Sequence, residues 1–412
     1  MTTILTNISC LVNVREESPL LRGAALAELP LIYNAYLVIE DGIIADYGVM
    51  DDLIHSSFSF TESYDATGRY VLPSWCDSHT HLVFAGSRES EFVDKIQGLS
   101  YAEIAAKGGG ILNSAAKLNA ASEDELFDAA WKRLQEVVKL GTGAIEIKSG
   151  YGLTPEGELK MLRVIKKLKQ KTDVLIKSTF LGAHAFPLAY KDDHKGYIDS
   201  IIYNMLPTIA EEQLADYIDV FCEDGFFNLE ETEMICKAGL AHGLKPKIHA
   251  NQLNAMGAAQ LGVALGAVSV DHLETMDEYA IASLSGSNTI GTLLPTAAFF
   301  LRMPFQPARQ LIDSGCAIAL ASDYNPGSSP SGNMNLVVAL SCIQMKMLPE
   351  EAINAATHNG AHAMEIADVA GSITKGKNAN IILTQPIPSL AYLPYAFGTN
   401  LVDKVMIKGD WI

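Results

Sequence analysis

Tyr70-Val71-Leu72-Pro73-Ser74-Trp75-Cys76-Asp77-Ser78-His79-Thr80-His81 is a mostly apolar run that ends in two histidines. Read as a strand, it carries its polar residues at its C-terminal end, where residues two apart point to the same side. His79 and His81 therefore share a face and can reach one metal ion. The same punctuation recurs along the chain. Strand-like runs at residues 144–148, 174–181, 217–222, 246–249, 267–271, 288–293 and 317–321 are closed or followed by polar residues, among them Tyr151, His184, His249, His272 and Asp323. Amphipathic stretches lie between them. Residues 123–140 and 155–170 each open beside a Ser or Thr cap and space their apolar residues as a helix does. With residues 70–76 this makes eight strand candidates, as a parallel α/β barrel requires; a doubly wound open sheet is the alternative. Position decides between them. Five of the ten histidines sit at strand ends. In a (β/α)8 barrel those ends share one face, where active sites of that fold are built.

Outward from this middle the character changes. Residues 36–48 are two apolar runs around Asp41-Gly42, a strong hairpin signal. Residues 380–384 and 404–409 read as short strands. The expectation is a small β-sandwich domain made by both termini (1–68 with 374–412), with a TIM-like barrel (69–373) inserted between them. The 412 residues are 49% hydrophobic, enough for a large core. Thirty basic against 48 acidic residues give a net charge of −18, and no Lys/Arg cluster appears, which argues against a nucleic-acid partner. Cys10, Cys76, Cys222, Cys236, Cys316 and Cys342 form no Cys-x-x-Cys pair and read as reduced core residues. The N-terminus lacks the marks of a signal peptide, and no apolar run is long enough to span a bilayer. A cytoplasmic protein without a membrane partner is expected.

The strand-end residues suggest a chemistry. His249 and His272 each close an apolar run; the bland reading of either is a hydrogen-bonded core histidine. Asp323 ends the eighth run and can touch both a metal and its water. The Asn325-Pro326-Gly327-Ser328-Ser329 turn after it could offer backbone N–H groups to an anion, or be an ordinary loop. Histidines and a carboxylate with room for water suit metal-assisted hydrolysis. The cation lowers the water's pKa, from about 15.7 toward roughly 7, and can polarise a carbonyl. A nearby Asp and His can move protons. Such N/O ligands suit zinc or iron, and sequence does not choose between them.

The set formed by His79-x-His81, His249, His272 and Asp323 resembles the amidohydrolase superfamily. Longer strings narrow the match: residues 77–88, Glu146-Ile147-Lys148-Ser149-Gly150-Tyr151-Gly152-Leu153, residues 179–184, and Ser322-Asp323-Tyr324-Asn325-Pro326-Gly327-Ser328 are similar to the imidazolonepropionase family. The resemblance implies one metal ion per chain, Zn2+ or Fe, held by His79, His81, His249 and Asp323. It implies catalysis by His272 and Asp323, and substrate binding by Arg88, Tyr151, His184, Gln252, Asn325, Gly327 and Ser328. The implied reaction is hydrolysis of 4-imidazolone-5-propanoate to N-formimidoyl-L-glutamate, a small substrate with a carboxylate tail that Arg88 would hold; the bland reading of Arg88 is a surface residue paired with Glu89 or Glu91. Related binuclear enzymes use a carboxylated lysine, but this family is mononuclear, so Lys148 and Lys177 read as structural or as supports behind the metal ligands. Where the family often carries an acidic residue, this chain has Asn251-Gln252. Asn251 cannot act as a base, which leaves proton transfer to His272 and Asp323.

Two rival readings stay open at this stage: another cyclic amidohydrolase or deaminase acting on a small heterocycle, and a catalytically dead barrel used as a binding module. A homodimer is compatible with the sequence. Gly108-Gly109-Gly110 lacks the Lys-Ser/Thr end of a phosphate loop and reads as a loop near the site. His55, His194, His242, His358 and His362 fall off the strand-end pattern and read as surface or core residues.

Overall fold

A computed structural model describes residues 2–53, 59–99, 103 and 107–412; His55 lies outside the described residues. Five strands open the chain: β1 (Thr2–Val12), β2 (Leu31–Glu40), β3 (Ile43–Val49), β4 (Glu62–Asp65) and β5 (Tyr70–Pro73). Eight follow: β6 (Trp75–Thr80), β7 (Thr142–Lys148), β8 (Leu175–Ala183), β9 (Tyr217–Cys222), β10 (Lys245–Ala250), β11 (Ser269–His272), β12 (Ile290–Leu293) and β13 (Ile318–Leu320). Three end it: β14 (Ile381–Thr384), β15 (Val402–Ile407) and β16 (Asp410–Trp411).

The eight middle strands pair in chain order from β6 to β13, all in parallel. The barrel closes beyond the last strand, where Thr80 bridges Tyr324. There the Asp323 N–H donates to the His79 carbonyl at 3.0 Å, and the His81 N–H to the Tyr324 carbonyl at 2.9 Å. Asp77 reinforces the seam by accepting from the backbone N–H and hydroxyl of Ser322, at 2.9 and 2.6 Å. The outer helices start where their caps say. Ser122 and Glu125 form a reciprocal capping box on Glu123–Lys139, and the Thr154 hydroxyl accepts from Gly157 N–H to open Pro155–Lys171.

The terminal strands form one mixed sheet in the order β16-β15-β14-β5-β1-β2-β3, with β4 beside β1. The β2–β3 hairpin turns at Asp41 (φ 48°) and Gly42 (φ 82°), the two positive φ values a tight two-residue hairpin turn demands. Leu5, Leu37, Ile381, Leu383 and Met406 share its core. The run at residues 70–76 is two strands instead of one. β5 lies between β1 and β14 in the terminal sheet, and the chain crosses at Ser74, whose N–H donates to Asn380, into the barrel strand β6. Pro73 is the last residue of β5, opposite Ile381, and Ser74 alone separates it from β6.

Of the described histidines off the pattern, His194 and His242 are exposed, His358 is buried and His362 partly buried. His358 and His362 bond the carbonyls of Pro19 and Ser18, pinning residues 18–19 against the barrel, while His194 stacks on Phe186. All six cysteines are free thiols. No helix among the described residues is long and apolar enough to cross a membrane.

Candidate active site

Strands that end on the same rim bring His79 and His81 (β6), His249 (β10), His272 (β11) and Asp323 (after β13) together. The backbone leaves several strands by left-handed turns: Asn251 has φ 55°, His272 87°, Leu273 65° and Asp323 53°. A non-glycine residue there carries strain, and Asn is among the residues that tolerate it best. Asn251 is accordingly structural. Its side chain donates to the Thr275 carbonyl at 2.9 Å and accepts from Ala259 N–H.

Each imidazole has a polar partner close to Nδ1, though at His249 the contact is an ion-pair approach outside hydrogen-bond geometry. His79 Nδ1 meets Asp271 Oδ2 at 2.6 Å, and His249 Nδ1 meets Asp219 Oδ2 at 2.9 Å. His81 Nδ1 faces the Ser149 carbonyl at 3.4 Å, His272 Nδ1 faces Glu274 at 3.5 Å, and His184 Nδ1 faces the Gly150 carbonyl at 2.9 Å. The ring nitrogens of His79, His81 and His249 come within 4.8 Å of one another, and donor atoms of His79, His272 and Asp323 form a second such group. Asp323 Oδ1 lies 3.5 Å from His79 Nε2 and 3.6 Å from His81 Nε2, while its Oδ2 accepts from the Ser328 hydroxyl at 3.0 Å.

The donor set fits a cation. His79 Nε2 is fully buried and has no hydrogen-bond partner, a costly state that a metal would relieve. Burial, reinforced by nearby positive groups, holds His79 and His81 well below the usual histidine pKa, so both are neutral as ligands must be. His272 behaves oppositely: burial alone would lower it, but Glu274, Asp323 and Asp271 outweigh that and raise it to about 9. Burial raises the Asp323 carboxyl against the pull of His272 and His249.

Several of the residues expected to hold substrate lie beside this cluster. His184 stacks on His81 with ring centroids 5.4 Å apart, and the Tyr151 ring stands edge-on to both. The Asn325 side chain ties the turn after β13 together: Oδ1 accepts from Gly327 and Ser328 N–H, and Nδ2 donates to the Asp323 carbonyl. Arg88 packs on that turn, its Nη1 2.5 Å from where a Cβ on Gly327 would stand, so a side chain there would displace the guanidinium. Arg88 also donates from Nε to Glu91 Oε2 at 2.8 Å, and Glu91 holds Gly110 N–H at 3.0 Å. The Gly108–Gly110 stretch is thereby tied to the arginine. A cavity of about 440 Å³ opens beside Arg88, with Phe84, Phe92, Arg133, Phe300 and Tyr324 in its wall.

A family model, the amidohydrolase family, matches residues 70–412. The imidazolonepropionase of Flavobacterium johnsoniae is 58% identical over 413 residues, covering 100% of both chains. The chain belongs to the imidazolonepropionase family. The imidazolonepropionase of Clostridium tetani is 43% identical, over 94% of this chain and 93% of that one. Among solved structures, an adenosine deaminase from Xanthomonas campestris with bound zinc shares the fold, with TM-score 0.70 at 15% identity over 99% of this chain and 92% of the other.

Like its imidazolonepropionase relatives the chain is a hydrolase acting on a small molecule, and it uses a metal cofactor. Sequence reading missed most of what supports the cluster. Asp219, Asp271, Glu146 and Lys247 are fully buried with Lys148 inside the barrel, below the histidines. Glu158 accepts from the N–H groups of Gly150, Gly152 and Leu153, fixing the loop that carries Tyr151. Glu223 does the same for Gln252, Leu253 and Asn254, at 2.6, 3.0 and 3.0 Å. One signal was available. Asp77, His79 and His81, like Glu146 with Lys148 and Lys247 with His249, alternate along their strands, which marks a shared inward face. Lys177 differs from Lys148: it is partly exposed and faces Asp216.

Proposed function

We propose that this chain hydrolyses 4-imidazolone-5-propanoate to N-formimidoyl-L-glutamate in histidine breakdown, with one zinc or iron ion held by His79, His81, His249 and Asp323. The observation that carries this reading is the convergence of those donors, with an acceptor oxygen close behind each histidine at Nδ1. A bound cation would supply a Lewis acid and lower the pKa of water. The chain's own residues do the rest. His272, with Nδ1 turned to Glu274, presents its other ring nitrogen to the substrate carbonyl oxygen. Asp323 takes the proton of the attacking water and passes it to the ring nitrogen as the C–N bond breaks. Tyr151, His184 and Gln252 flank the ring, and the turn at Asn325, Gly327 and Ser328 lies beside Arg88, which holds the carboxylate tail. A cytoplasmic location and a homodimer belong to the same proposal; light scattering tests the second.

The test is an absorbance assay with imidazolonepropanoate, paired with ammonia and metal measurements. We expect substrate loss, appearance of the formimidoyl product, no ammonia, and one metal ion per chain. His79→Ala should lose both metal and turnover. Release of ammonia from a heterocycle, with imidazolonepropanoate left intact, would replace this reading with a deaminase.

A further inference from the structure

Beneath the cluster lies a patch of charge that the reaction above does not use. Lys148 Nζ stands 2.7 Å from Glu146 Oε1, 2.8 Å from Asp219 Oδ2 and 3.5 Å from Asp271 Oδ2, and all four side chains are fully buried. The two aspartate oxygens that face the ammonium are the same two that face the imidazoles: Asp219 Oδ2 toward His249 Nδ1 and Asp271 Oδ2 toward His79 Nδ1. The remaining aspartate oxygens are also occupied. Asp219 Oδ1 accepts from His249 N–H at 3.1 Å, and Asp271 Oδ1 from the Ser269 hydroxyl at 2.5 Å. Neither carboxylate is left free to swing.

We infer that Lys148 is the positioning residue of the metal centre, one buried ammonium that fixes two carboxylates and through them aims two of the histidines on opposite sides of the barrel. The inference rests on the metal assignment proposed above. Its physical basis is that ligand orientation is set one shell out: a carboxylate at Nδ1 fixes the ring's tautomer and direction. Two such carboxylates close together in a dry interior would repel and turn away unless a cation sits between them. Lys148 occurs on β7, a strand that contributes no ligand of its own, and it serves ligands on β6 and β10. A point charge on a flexible stem suits this place, since it donates to Glu146 on β7 and Asp219 on β9 and still lies within ion-pair distance of Asp271 on β11.

The neighbouring Lys247 provides an internal control. It is equally buried, pairs with the other oxygen of Glu146 and donates to the Ser78 carbonyl at 3.2 Å, yet no carboxylate in direct contact with it faces a histidine, and its charge reaches Asp271 only through space, as a smaller addition to that of Lys148. A generic need for positive charge in the barrel would weigh on both lysines alike. The experiment measures zinc dissociation constants by chelator competition, with unfolding curves of the metal-free proteins, for wild type, Lys148→Met, Lys148→Gln, Lys148→Arg and Lys247→Met. We expect Lys148→Met and Lys148→Gln to weaken zinc binding about ten- to hundredfold, the range for lost outer-shell partners. Lys247→Met should weaken it several-fold less, and Lys148→Arg should recover part of the loss. The cobalt-loaded protein should change its visible spectrum in Lys148→Met and not in Lys247→Met. Equal losses at Lys148 and Lys247, wild-type affinity in Lys148→Met, or failure of both neutral Lys148 variants to fold would each overturn the inference. A wild-type protein that takes up no zinc, cobalt or iron would instead overturn the metal reading on which it rests.

Discussion

At the scale of single residues, Arg88 has two allegiances. Its guanidinium is bound to Glu91 and packed on Gly327, and the proposed function gives it a substrate carboxylate as well. Removing it should therefore have two effects that can be separated. The first is substrate-independent: Glu91, itself mostly buried, loses its partner, so Arg88→Ala should slow every substrate somewhat. The second appears only when a tail is present. Breaking a buried charge pair costs about 2–5 kcal/mol. At about 1.4 kcal/mol per tenfold, that is roughly a 30-fold to several-thousand-fold loss of kcat/KM for the tailed imidazolone. Arg88→Lys should restore only part, because an ammonium cannot grip a carboxylate with two parallel hydrogen bonds. Measuring both variants on tailed and tailless substrates isolates the second effect; equal slowing of the two would remove Arg88 from tail binding.

At the scale of elements, loops are held by buried glutamates. Glu223, at the end of β9, takes three backbone N–H groups from residues 252–254. Glu223→Ala should destabilise the protein by at least roughly 1.5–3 kcal/mol, the worth of a single hydrogen bond to a charged acceptor, and raise KM by freeing the loop of Gln252. Urea unfolding and steady-state kinetics check the two halves. An unchanged KM would show that Gln252 needs no such anchor. This also marks where sequence reading stops. His79, His81, His249, His272 and Asp323 were legible because a polar residue closing an apolar run has few other places to be. Glu158 and Glu223 were not, because nothing in their spacing names the backbone groups they accept from. Lys148 was legible as a strand residue, but its partners on β9 and β11 are joined to it only by barrel closure. The split of residues 70–76 into β5 and β6 was not legible either, because it depends on β5 finding β1 and β14 while β6 finds β7.

At the scale of the whole molecule, metal binding and stability are linked. The donors converge on one rim from β6, β10 and the end of β13, strands far apart in the chain, which metal would tie together. Free metal at about a hundred times its dissociation constant should add about 2.7 kcal/mol to the unfolding free energy. Denaturant titration with and without metal measures this, and His249→Ala should abolish the difference while leaving the metal-free curve close to its original place. The position of β5 has a different consequence, one of timing. It is flanked by β1 from the beginning of the chain and β14 from near its end. A ribosome releases β1 and β5 long before β14, and at ordinary elongation rates the interval is on the order of half a minute. Throughout that interval the edge of β5 that β14 will cover has no strand beside it. Its unpaired backbone groups offer a template to any neighbouring nascent chain. Synthesis on crowded polysomes, more than refolding from dilute denaturant, is where this architecture is most exposed to mispairing, and a chaperone that shields β5 would be of most use to it there.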